Sequence, residues 1–87
     1  MLQARGELAE ARTAFERALA ITEAVYGPDH PNVARDVNNL GGVLQDLGDL
    51  DGAKKSYERA LEIFQHFLGG DHPKTKTVRN NLELLWR

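Results

Sequence analysis

The sequence predicts an all-α protein, an α-solenoid of antiparallel helix pairs with four helices in the order B-A-B-A. Three observations carry that prediction. Sliding the chain by 42 residues aligns 6–45 with 48–87 without a gap, and fifteen of the forty aligned positions are identical, far more than unrelated segments would share. Within each unit the apolar residues recur at steps of three and four, the period of an amphipathic helix. No stretch alternates with period two, so no strand is expected.

The elements follow in order within a single array spanning residues 1–87. Residues 1–5 align with 43–47, the end of a type-A helix whose beginning is missing. A type-B helix is expected over 6–26, with Leu8, Ala11, Phe15, Ala18, Leu19, Thr22 and Val25 as its stripe. A type-A helix follows over 31–47, with Val33, Val37, Leu40, Gly41 and Leu44 on one side. The second B helix, 49–68, repeats the stripe as Leu50, Ala53, Tyr57, Ala60, Leu61, Phe64, Phe67 and Leu68. A terminal A helix is expected over 73–87. Asp49 stands where a helix wants a side-chain acceptor for its first free amides, and Glu7 takes the matching place in the first unit.

The corners carry a repeated motif, Gly-Pro-Asp-His-Pro at 27–31 and Gly-Gly-Asp-His-Pro at 69–73. An aspartate beside a histidine invites a metal or catalytic reading. A metal site needs three or four convergent ligands, and each corner supplies two. Every residue also has a backbone task. Gly27 and Gly69 end a helix in the left-handed region, Pro31 and Pro73 open the next one, and the Asp and His side chains can accept from first-turn amides. The motif reads as a turn.

With these residues in place, Val37-x-x-Leu40-Gly41-x-x-Leu44 followed by Ala53-x-x-x-Tyr57 and Ala60 resembles the tetratricopeptide repeat (TPR). Ala11-x-x-x-Phe15 and Ala18 repeat the second half. The 42-residue period, with Asn-Asn-Leu-Gly, Glu-Arg-Ala-Leu-Glu-Ile and the corner motif, resembles the long-repeat subgroup typified by kinesin light chains; similar repeats form arrays on bacterial signalling ATPases. The resemblance implies a protein–protein interaction module. Val37 and Leu44 depart from the family's usual tryptophan or tyrosine. In the last unit Glu83 replaces the small Gly41 and Arg79 replaces Val37, which suggests a polar cap and the C-terminal part of a longer array.

Composition narrows the function classes. The net charge of −2 argues against a nucleic-acid binder, and the absence of cysteine excludes disulfides and thiolate chemistry. No long apolar run suggests a membrane span, and a cytoplasmic setting fits. No convergent catalytic set, phosphate loop, cofactor motif or metal motif is present, so no enzyme, cofactor or metal is expected. His66, four residues after Glu62, is expected to pair with it along the helix. The glycine pair Gly41-Gly42 lies inside a helix, where missing side chains permit close packing or open a groove.

Binding is the expected activity. The A helices of such an array line a concave face. On it, Arg35, Asn39, Gly42 and Asp46 form one stripe and Thr77, Asn81 and Leu84 the matching one. Asparagine contributes little inside a helix, so the dyads Asn38–Asn39 and Asn80–Asn81 have another use. The family's grooves imply contact with a peptide backbone for Asn39 and Asn81; Asn38 and Asn80 are weaker candidates, and bonding to a neighbouring unit is the alternative. From His72 on, Lys74, Lys76, Arg79 and Arg87 face only Glu83, a modest basic patch of a kind that is more often a solvated face; as a binding surface it would suit an acidic or C-terminal-carboxylate peptide. The alternative function is self-association as a homodimer or larger species, with Leu8, Phe15, Leu85 and Trp86 as the candidate residues.

Overall fold

The computed structural model describes the backbone of residues 2–85 and the side chains of residues 6–85. Among the described residues it contains four helices and no strand: α1 (Leu2–Tyr26), α2 (Pro31–Asp46), α3 (Leu50–Leu68) and α4 (Pro73–Leu84). Each helix packs chiefly on its neighbours in the chain. The expected roles of Met1, Trp86 and Arg87 lie outside the described residues.

The one departure in helix layout is at the start. A break between residues 5 and 6 was expected from the alignment of Gly6 with Gly48, but α1 runs through Gly6 without interruption. Gly48 has φ +90° and closes α2, whereas Gly6 is not among the positive-φ glycines. Residues Gly48 and Asp49 form a turn together: Gly48 N donates to Gln45 O at 3.0 Å and Asp49 N to Leu44 O at 2.8 Å. That pair of bonds is the Schellman arrangement, which satisfies the last carbonyls of α2. Asp49 Oδ1 then caps α3 by accepting from Gly52 N at 2.9 Å. Glu7, with a longer side chain inside a continuous helix, has no such place.

The two B-to-A corners follow the motif closely. Gly27 (φ +88°) and Gly69 (φ +87°) end α1 and α3. Their amides donate back to Glu23 O at 2.8 Å and Gln65 O at 3.2 Å. Pro31 and Pro73 open the next helices. Of the two polar residues expected to share the cap, only histidine does so. His30 Nδ1 accepts from Asn32 N at 3.0 Å and His72 Nδ1 from Lys74 N at 3.1 Å, while Asp29 and Asp71 are exposed. An accepting Nδ1 carries no proton, so each imidazole holds its hydrogen on Nε2.

The core is the seam between α2 and α3. Val33, Ala34, Val37, Leu40 and Leu44 meet Ala53, Tyr57, Ala60, Ile63 and Phe64, and Val78 joins from α4. Phe15, Leu19, Leu61, Leu68, Leu82 and Leu85 pack around them, half-buried. At the centre Gly41 lets the helices close. A Cβ there would sit 2.7 Å from Cε1 of Tyr57, whereas one at Gly42 would lie 3.7 Å from the phenol oxygen, an ordinary contact. The outer joints differ in chemistry. Asp36, buried on α2, accepts from the Thr22 hydroxyl of α1 at 2.7 Å and from Arg35 Nε at 3.2 Å. One repeat later the same two positions are Phe64 and Val78, both buried.

Two predictions follow from this geometry. Gly41→Ala should lower stability in urea by about 1–3 kcal/mol, because the buried ring of Tyr57 cannot retreat. Gly42→Ala should instead gain up to about 1 kcal/mol from helix propensity. In the corners, His72→Ala should cost about 1 kcal/mol in the same assay, and His72→Asn, which keeps an acceptor, should recover most of it.

Candidate functional site

The A helices α2 and α4 lie side by side with α3 behind them, and a cleft opens between the two. Arg35 and Asn38 of α2 form one wall, Pro73, Lys74 and Thr77 of α4 the other, and Phe64 of α3 the floor; the cleft's volume is ≈ 220 Å³.

The structure draws three of the expected residues, Arg35, Asn38 and Thr77, to this cleft. The other expected residues lie elsewhere along the same two helices. Asn39, Asp46, Asn80 and Leu84 are exposed, and Gly42 is half-buried beside the Tyr57 phenol. The two asparagine dyads are joined to one another: Asn81 Nδ2 donates to Asn38 Oδ1 at 3.2 Å, tying α4 to α2. Phe64 and Pro73 were not expected at a binding surface, whereas Lys74 belongs to the basic region expected to suit an acidic peptide. Phe64 reads as an ordinary member of the α3 stripe, and only the packing of three helices shows that its ring floors a gap between the other two.

The chemistry of the cleft is apolar at the floor and cationic at the rim. Arg35 Nε is 3.2 Å from Asp36, but the Arg35 side chain remains largely exposed. Lys74 is exposed on the opposite wall. The Thr77 hydroxyl donates to Pro73 O at 2.9 Å, leaving its oxygen as an acceptor. Arg79, expected to add to the basic end, turns away to donate to Gly70 O at 3.4 Å.

The second cleft, ≈ 400 Å³, lies between the first corner and α3 and is lined by Asp29, Arg59, Glu62, Ile63, His66 and Phe67. Arg59 walls it, donating to Pro28 O at 3.0 Å and to Glu23 Oε2 at 3.3 Å. The expected Glu62–His66 pair is not formed among the described residues. His66 instead meets the edge of Phe67, with ring centroids 4.8 Å apart and planes at 87°. No group of three or more His, Cys, Asp or Glu side chains converges among the described residues. No described helix is long and apolar enough to cross a membrane.

Behind the groove, the Tyr57 hydroxyl donates to Gln45 Oε1 at 3.0 Å. Burial, and secondarily the charge of Asp46, push the Tyr57 phenol above its ordinary value of 10.0. The folded state therefore favours the neutral phenol. Its contribution to stability is complete below pH 10 and is lost as the pH rises through the folded value. The stability difference between the native chain and Tyr57→Phe should shrink above pH 10 in urea titrations, and stay constant from pH 7 to 9.

Two family models described as tetratricopeptide repeat match the chain, one over residues 36–85 and the other over residues 1–32. No curated protein matches it.

Proposed function

From the premise that this chain belongs to the tetratricopeptide repeat family, whose members present surfaces to other proteins, we propose that the cleft between α2 and α4 binds an extended peptide. The observation that carries the reading is the pairing of an apolar floor, Phe64, with two cations, Arg35 and Lys74, on opposite walls. An apolar side chain flanked by carboxylates suits that arrangement: the side chain covers Phe64 and Pro73, and the acids meet the cations. Asn38 lies between them with its Oδ1 held by Asn81, so its Nδ2 hydrogens are the ones offered to a peptide carbonyl.

The reading is a binding one throughout, with no catalytic step. The 42-residue period and the paired asparagines support placing the chain in the long-repeat subgroup resembling kinesin light chains. A cytoplasmic setting belongs to the same proposal, consistent with a chain that has no cysteine.

The test is a screen of short acidic peptides containing one large apolar residue, read by chemical shifts of Arg35, Asn38 and Thr77. Arg35→Glu combined with Lys74→Glu should weaken the best binder at least tenfold with helicity unchanged, and raising salt should weaken it in the native chain. Binding that ignores both changes, or shifts confined to the second cleft, would overturn the proposal.

A further inference from the structure

The dyads Asn38–Asn39 and Asn80–Asn81 occupy the same places one repeat apart. The bond between them nevertheless joins unlike members, the first asparagine of α2 and the second of α4. Each dyad thus reaches forward with its first residue and back with its second. Two half-bonds remain: Asn39 and Asn80 are exposed, and neither has a partner among the described residues.

A second copy of the chain, set one repeat beyond α4, would offer its Asn39 to Asn80 in the geometry already used inside the chain. Its α1 would then lie on α4 as α3 lies on α2, with Ala11, Phe15 and Ala18 in the places of Ala53, Tyr57 and Ala60. The α3 residues are buried, while their α1 counterparts are only half-buried. On α4, Leu82 and Leu85 are half-buried and Leu84 is 53% exposed. The apolar surface needed for stacking is therefore present on both sides.

Three positions break the match, and all three carry charge: Lys76, Arg79 and Glu83 stand where α2 has the buried Ala34, Val37 and Gly41. At Gly41 a Cβ would come within 2.7 Å of the Tyr57 ring, so the same approach by Phe15 would drive its ring into the Glu83 side chain and bury a carboxylate. We infer that these three charges, Glu83 foremost, close the outer face of α4 to a second copy of this chain and prevent head-to-tail stacking through the asparagine dyads. The inference is independent of peptide binding in the cleft.

The experiment measures molar mass across a hundredfold concentration range, with helicity followed in parallel. The native chain should remain at 9.7 kDa. The triple variant Lys76→Ala, Arg79→Val, Glu83→Gly should at least double its mean mass at the highest concentration. The same triple with Glu83→Ala, which removes the carboxylate but keeps a Cβ, should fall between the two, and it carries the test if glycine melts α4. The contact is identified by trapping, since the chain has no cysteine of its own. Asn39→Cys and Asn80→Cys chains, mixed under oxidising conditions, should form an interchain disulfide at least tenfold faster when both also carry the triple substitution. A folded triple variant that stays monomeric would overturn the inference. So would a native chain that crosslinks between 39 and 80 as readily as the variant.

Discussion

The absence of a side chain at Gly41 sets the distance between α2 and α3, and most of the structure depends on that distance. The Tyr57 ring lies against the α2 backbone where a Cβ would stand. Its hydroxyl is carried far enough across to meet Gln45. With the two helices this close, Ala53 and Ala60 on either side of Tyr57 are also buried, and small residues there are a requirement rather than a preference. α4 in turn packs on α3, so the spacing of α2 from α4 is inherited from the same contact.

What the sequence made legible was whatever a single residue or a fixed spacing could encode. A glycine that must take positive φ, a proline at a helix start and an apolar stripe each act locally, and the repeat states them twice. The start of α1 departs from the expectation: Gly6 matches Gly48 in identity, and Leu2 and Gln3 stand where Leu44 and Gln45 do, yet only Gly48 takes positive φ and ends a helix. The histidine caps show the same limit on a smaller scale: the motif places an aspartate and a histidine together, and only the backbone path decides that the imidazole reaches the amide.

Contacts between helices were less legible, because the repeat conceals them. Thr22 and Asp36 hold α1 to α2 through a hydrogen bond, yet neither is conspicuous in its own helix. The asparagine dyads stand out in the sequence, but two identical pairs cannot say which member reaches forward. That needs the geometry of both helices at once, in which Asn81 Nδ2 donates to Asn38 Oδ1.

The divergence between the two units also explains where the cleft is. In the first unit the joint between B and A helices is the polar pair Thr22 and Asp36; in the second it is Phe64 and Val78. Threonine at position 64 would satisfy the joint through a buried hydrogen bond but would leave no aromatic surface under the gap between α2 and α4. Phenylalanine there fills the joint in one buried cluster with Val78 and, although only 3% exposed, also lines the bottom of the cleft. The replacement that makes the second joint apolar is thus the same one that gives the cleft its floor, and the surface proposed for peptide binding arises where the repeat departs from itself.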